Sequence, residues 1–209
     1  MKQPVGVILA GGLASRMGGG DKALLSLGGQ TLLTRVIDRL SPQVAAVALN
    51  ANGDAARFAD YGLPVVPDSI ADYPGPLAGV LAGLDWAAEQ GADTVVSVAA
   101  DTPFFPCDLG PRLLLASEGQ EHPLVLAATK GDTQTRSKSR SGLIRHPTFG
   151  LWPVALRNDL RAALQSGLKK VVLWTEQHGG REALFSATPF DPFFNVNTPE
   201  DLAQAEALI

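Results

Sequence analysis

Five short apolar runs with little polar alternation recur along the chain: VGVILAG from Val5, VAAVALN from Val44, PVVPD from Pro64, TVVSVAAD from Thr94 and LVLAAT from Leu124. A strand with one solvated face alternates apolar and polar residues, whereas a strand covered on both faces does not. Runs of this kind therefore point to a mostly parallel sheet held between helices. Each is followed by a helix-like stretch. Thr31 to Leu40 places Leu32, Leu33, Val36, Ile37 and Leu40 on one stripe, and Pro76 to Gln90 places Leu77, Val80, Leu81, Leu84 and Ala88 behind a Gly75-Pro76 start. The expected fold is α/β, a Rossmann-like three-layer α/β/α arrangement with a mostly parallel central sheet. With 209 residues, no internal repeat and no dividing linker, one domain over 1–209 is expected.

Composition narrows the function classes. Hydrophobic residues make up 45% of the chain and charged residues 18%, a globular balance. The net charge of −4 argues against a general nucleic-acid binder, which carries a clustered basic excess. The lone Cys107 excludes an intramolecular disulfide framework and reads as a small buried residue. Neither a signal peptide nor an apolar run of membrane-spanning length is visible, so a soluble cytoplasmic protein is expected.

The first apolar run leads into LAGGLASRMGGGDK, residues 9–22, which holds five glycines, Arg16 and Lys22. Such a stretch loses backbone entropy on ordering and buries little, a loss that a ligand can offset. The GxxxxGK[ST] loop fails because no glycine here is followed by Lys-Ser or Lys-Thr, and the GxGxxG spacing is absent from any strand-to-helix turn. What remains is a loop whose backbone N–H groups approach an anion closely while Arg16 and Lys22 neutralise phosphate oxygens; the alternative is an ordinary glycine-rich surface turn. Asp101 ends TVVSVAAD, where a carboxylate projects into the ligand crevice of an α/β sheet as a candidate Mg²⁺ ligand, or else closes an Asx turn at Asp-Thr-Pro. Near the other end, FNVN from Phe194 reads as a brief strand. NTPEDL then supplies Thr198 as N-cap and Pro199 at the first helical position, which puts Asn195 and Asn197 at a strand's carboxyl end.

The pattern LAGGxxxRMGGxDK resembles the opening of nucleotidyltransferases that transfer a nucleoside monophosphate from a nucleoside triphosphate. Together with DSIADYPGPLAG from Asp68, DTPFFP from Asp101, HPTFGLWP from His146 and FNVNTPEDL from Phe194, it resembles the molybdenum cofactor guanylyltransferase family over nearly the whole chain. The resemblance implies Mg²⁺-dependent transfer of GMP from GTP to the terminal phosphate of molybdopterin, with release of pyrophosphate. It implies catalytic roles for Arg16, Lys22 and Asp101, with Asp101 as metal ligand. Nucleotide contacts are implied for Leu9, Ala10, Gly11, Gly12, Gly19, Lys22, Asn50, Asp68, Gly75, Gly79 and Asp101, and molybdopterin contacts for Lys170, Asn195 and Asn197. The nucleotide half would span about 1–105 and the mainly molybdopterin-binding half about 106–209. A phosphate monoester has its second pKa near ~6, so the nucleophile is largely deprotonated at neutral pH and no catalytic base is required.

Several residues keep two readings. Asn50 either meets donor groups of the nucleotide or caps a turn with Asn52 and Gly53, and the small residues Gly75 and Gly79 either admit a nucleotide ring or permit close helix packing. His146, before Pro147 at a strand entry, reads as structural. The stretch TKGDTQTRSKSRSGLIR, residues 129–145, sets Lys130, Arg136, Lys138, Arg140 and Arg145 against Asp132 alone, where the family has a shorter connection. It is a solvated basic loop or a lid over the anionic pterin, which would equally suit an acidic partner protein. Lys169 and Lys170 fall where the family also carries basic residues. A CTP-dependent cytidylyltransferase and a nucleotide sensor without turnover are the alternatives. A monomer is expected, in transient contact with proteins of cofactor biosynthesis and molybdoenzyme maturation, without nucleic acid or membrane.

Overall fold

A seven-stranded sheet forms the middle layer of the computed structural model, which describes residues 2–11, 21–70, 75–131, 142–168 and 171–209. The strands are β1 (Val5–Leu9), β2 (Ser26–Leu27), β3 (Gln30–Thr31), β4 (Val47–Asn50), β5 (Val65–Val66), β6 (Thr94–Ala99), β7 (Val125–Lys130), β8 (Leu143–Pro153) and β9 (Arg181–Phe185). The helices are α1 (Leu32–Leu40), α2 (Pro76–Glu89), α3 (Leu109–Ala116), α4 (Arg157–Gln165), α5 (Val171–Gln177) and α6 (Pro199–Glu206). The sheet order is β5-β4-β1-β6-β8-β7-β9, with β2 and β3 forming a separate small hairpin. Strands β5, β4, β1 and β6 run parallel, β8 is antiparallel to both its neighbours, and β9 is parallel to β7.

The three-layer expectation follows from the alternation within β1. Val5 and Val7 face a core completed by Leu77, Val80, Leu81 and Leu84 of α2, with Leu160 and Leu164 of α4 and Trp174 of α5. Ile8 faces the opposite core, built with Leu33, Val36 and Leu40 of α1 and Leu109 and Leu113 of α3. Both faces of β1, β4 and β6 are thus buried, which is why their sequences lack polar alternation. Thr31 caps α1 by accepting from the Thr34 N–H at 3.0 Å. Thr198 and Asp201 form a reciprocal capping box at α6, as the NTPEDL pattern predicts.

Three expectations are corrected. Residues 194–197 form no strand; among the described residues, the Val196 N–H donating to Asp101 O at 2.9 Å stands in for a ladder. LVLAAT is followed not by a helix but by antiparallel β8, and the Gly131 N–H meets Gly142 O at 3.0 Å across the base of this connection. The β7–β8 register slips between Leu126 and Ala127, where Pro147 of β8 has no N–H to give the ladder. Cys107 is exposed rather than buried, because the turn before α3 sends Phe105 into the core and leaves the thiol against Arg39 Nη1 at 3.1 Å. Of the basic stretch 129–145, residues 132–141 lie outside the described residues; Lys130 and Arg145 belong to strands, and Arg145 pairs with Glu182 at 2.7 Å and Glu176 at 3.3 Å.

Candidate active site

The strand order reverses at β1. The chain builds outward through β4 and β5, and α2 then carries it back across to β6 on the other side of β1. A crevice opens at such a switch point, beyond the carboxyl ends of the strands. Here it is a cleft of about 440 Å³ lined by Leu9 and Gly11 at the end of β1, Asn50 and Asn52 at β4, Asp68 after β5, Gly75 and Pro76 at the start of α2, Ala99 and Asp101 at β6, Thr148 of β8, and Asn195. Its size suits a small-molecule ligand. Of the residues expected at the nucleotide, Leu9, Gly11, Asn50, Asp68, Gly75 and Asp101 share this one lining, joined by Asn195 from the pterin set. Ala10 lines a small adjoining recess with Lys22 and Asp101, and its N–H is committed to Asn50 O at 2.9 Å. Gly12, Arg16, Gly19 and Lys170 lie outside the described residues.

A cationic centre stands at the edge of the cleft. Lys22 opens a short helical turn, Lys22–Leu24, and is buried to 9% exposure. Burying an ammonium requires an acidic partner, and Lys22 Nζ reaches Asp101 Oδ2 at 2.5 Å and also donates to Asn197 Oδ1. The segment 194–197 explains why both asparagines arrive together: fully buried Val196 points into the core, while residues on either side of it face the other way. Thr102, fully buried, donates its hydroxyl to Asn195 Oδ1 at 2.6 Å and lies 3.1 Å from Asp101 Oδ1. Asp101 Oδ2 and Asn197 Oδ1 thus converge on one cation. Such hard oxygen donors suit Mg²⁺, which takes one or two carboxylates and completes its shell with phosphate oxygens and water.

A second cluster forms at the opposite wall. Asn50, buried, donates from Nδ2 to Asp68 Oδ1 at 2.9 Å and to Val66 O at 3.1 Å. Gly79 does not line the cleft. A Cβ there would stand 2.2 Å from Asn50 Oδ1 and 2.9 Å from Leu9 Cδ2, and one at Gly83 would stand 2.8 Å from Val7 Cγ1, so these two glycines let α2 lie close on β1 and support Asn50 from below. Gly79 thus meets the packing need that a small residue serves here. Gly79→Ala is expected to cost about 2 kcal/mol through overpacking, lowering the melting temperature by about 4–8 °C, and to weaken nucleotide binding by displacing the Asn50 amide. Unchanged melting and binding would show that α2 can shift freely.

His146 is structural as expected. Its ring stacks on Phe193 with centroids 4.1 Å apart, Nε2 lies 3.0 Å from Thr129 Oγ1, and burial holds its pKa below the usual imidazole range against the opposing charge of Asp191. Sequence reasoning missed Asn52 as a site residue because a polar residue just past a strand reads as turn chemistry, and it missed Thr148 because a strand entry at His146 does not show that β8 pairs antiparallel with β6.

Fold and site together define a nucleotidyltransferase-like α/β protein, with the ligand cleft at the switch point and a lysine–aspartate centre at its rim. The chain belongs to the MobA-like NTP transferase domain family, whose match covers residues 6–180. It is 52% identical over 206 residues to a molybdenum cofactor guanylyltransferase of Bradyrhizobium sp. (strain ORS 278), covering 97% of this chain and 92% of that protein. To a protein of the same name from Cereibacter sphaeroides it is 49% identical over 205 residues, covering 98% and 96%. Among solved structures, the molybdopterin-guanine dinucleotide biosynthesis protein A of Archaeoglobus fulgidus shares the fold with a TM-score of 0.70 at 22% identity, over 98% of this chain and 97% of that one.

Proposed function

We propose that this chain transfers GMP from GTP to the terminal phosphate of molybdopterin. An oxygen of that phosphate attacks the α-phosphorus of GTP, the α–β phosphoanhydride bond breaks, pyrophosphate leaves, and a new phosphoanhydride joins pterin to guanosine. The nucleophile is already largely deprotonated at neutral pH, so positioning and charge are what the protein must supply. The described lining of the cleft offers two carboxylates, amides and backbone, with Lys22 at its rim and no histidine. The observation that carries the reading is the convergence of Lys22, Asp101 and Asn197 beside a cleft whose far wall is Asp68 and Asn50.

In this reading GTP lies along the β1, β4 and β5 ends, its base toward Asp68 and its phosphates toward Lys22. Molybdopterin approaches from the Asn195–Asn197 side. Mg²⁺ would be held by Asp101 with Asn197, and when bound it supplies positive charge to the phosphate oxygens. Lys22, now paired with both donors, would turn its ammonium to the triphosphate, and Asn195, fixed by Thr102, would present its amide N–H groups to the pterin. The relatives' common name favours guanine over cytosine. Incubation with Mg²⁺, molybdopterin and GTP, CTP or ATP should release pyrophosphate and form a dinucleotide with GTP; preference for CTP, or tight GTP binding with no pyrophosphate, overturns the assignment.

A further inference from the structure

At the far wall of the cleft, the Asp68 carboxylate is gripped from two sides. Asn50 Nδ2 donates to Oδ1 at 2.9 Å, and Asn52 Nδ2 donates to Oδ2 at 2.7 Å. Asn52 also accepts the Asp68 N–H on Oδ1 at 2.9 Å, so its amide forms a closed, reciprocal pair with one residue. Asn52 is itself tethered. Its backbone O accepts from Arg57 Nη2 at 2.6 Å, while Arg57 Nε reaches Asp21 Oδ2 at 2.6 Å, the residue immediately before Lys22. Arg57 further donates to Asp54 O and rests over the Phe58 ring, 4.6 Å from its centroid. One guanidinium therefore joins the loop after β4 to the end of the glycine-rich segment, and its planar fork is suited to holding several acceptors at once.

The chemistry of the held carboxylate is specific. An ionised carboxylate is acceptor-only, with about four lone-pair directions on its two oxygens. The two asparagines engage one direction on each oxygen and leave each oxygen able to accept once more, so the fixed group offers a pair of adjacent acceptors. Among the nucleobases, guanine alone sets two adjacent donors on its Watson–Crick edge, the N1–H and the exocyclic N2–H. Cytosine and adenine set a donor beside an acceptor there and would bring a lone pair against a carboxylate oxygen. A carboxylate that swung about its side-chain torsion would keep its charge and lose this discrimination.

We infer that Asn52, held by Arg57, is a positioning residue for base selectivity: it fixes the plane of the Asp68 carboxylate so that this group accepts both edge donors of guanine. This rests on the reading that the base lies against Asp68, and it assigns Asn52 and Arg57 a part that the nucleotide-contact set from the resemblance does not include. Asn52 acts through Asp68 and touches neither the phosphates nor the Lys22–Asp101 centre.

The test compares GTP with ITP, whose base lacks only the 2-amino group, by calorimetric binding to the intact protein and, separately, by dinucleotide formation with molybdopterin. The wild type is expected to bind GTP about tenfold or more tighter than ITP, the scale of a hydrogen bond to a charged acceptor. Asn52→Ala should lower that ratio about fivefold, mainly by weakening GTP, with a melting temperature near that of the wild type. Asn52→Asp keeps the acceptor for the Asp68 N–H but sets a carboxylate against Oδ2, and should lower the ratio further. Arg57→Ala should shift it in the same direction by a smaller factor. An unchanged GTP-to-ITP ratio in Asn52→Ala, or equal weakening of both nucleotides, overturns the inference. Failure of the wild type to form dinucleotide despite GTP-selective binding would instead overturn the proposed transfer and leave the selectivity assignment standing.

Discussion

Asp101→Ala is expected to abolish dinucleotide formation, lowering kcat by about 10³-fold or more, the scale on which removing a preorganised electrostatic group acts at a reacting centre. GTP binding should survive, because the substitution removes a negative charge that would otherwise face the triphosphate. The Ala variant also strips Lys22 of its carboxylate in a setting where the lysine side chain is only 11% exposed, and breaking one partner of a largely buried pair destabilises the fold. Asp101→Asn separates the two effects. Its amide oxygen still accepts from the ammonium, so folding is preserved, while the charge that would hold Mg²⁺ is gone. Both variants should bind GTP and fail to turn over; turnover of Asp101→Asn within about tenfold of the wild type would remove Asp101 from the metal role.

The convergence behind this prediction was partly legible in the sequence, for a physical reason. Strands covered on both faces announce themselves by losing polar alternation, so the runs at Val5, Val44 and Thr94 could be placed in a parallel sheet and Asp101 at a carboxyl end, whereas Leu9 and Asn50 entered the site through the resemblance. That Asp68 and Asn50 touch required the order of the strands, since β4 and β5 are neighbours only in the folded sheet. Strand direction is not written in hydropathy, so the strand entry read at His146 carried no sign that β8 runs antiparallel and brings Thr148 to the cleft. The FNVN segment shows the converse error. Apolar alternation around Val196 imitates a strand, yet the segment joins no ladder: it is held by the Val196 N–H on Asp101 O, by the burial of that valine, and by the side-chain bonds of Asn195 and Asn197 to Thr102 and Lys22. Asn195 and Asn197 still face the same side as each other, because burying Val196 turns the residue on either side of it away from the core. Cys107 misled because a residue type often buried sat in a turn whose neighbour, Phe105, was the better core filler. Gly79 could not be resolved from sequence at all, since close helix packing and room for a ring both call for a small residue; the contact a Cβ would make with Asn50 shows the packing.

The second large effect belongs to Lys22. Lys22→Met keeps much of the stem's volume and removes the ammonium, so the buried site retains its packing while losing the charge that Asp101 Oδ2 and Asn197 Oδ1 now share. GTP affinity is expected to fall about 100-fold, because a phosphate-neutralising cation in a partly desolvated setting contributes far more than one on an open surface. The same substitution should have an opposite effect on divalent cations. In the ligand-free protein the ammonium and a metal ion compete for the same two oxygens, and hard oxygen donors released from an ammonium become available to a divalent ion. Mn²⁺ binding measured without nucleotide, by its paramagnetic signal or by calorimetry, should therefore be tighter in Lys22→Met than in the wild type, and this gain should vanish in Lys22→Met combined with Asp101→Asn. Loss of GTP affinity together with a gain in Mn²⁺ affinity identifies Lys22 as the cation that holds the metal donors until a triphosphate draws it away. Unaltered GTP affinity in Lys22→Met would mean that the end of the glycine-rich segment does not cradle the phosphates. Weakened GTP with no change in Mn²⁺ would mean that Asp101 and Asn197 do not form the metal site, since the ammonium now lies between them and any ion bound there has to displace it.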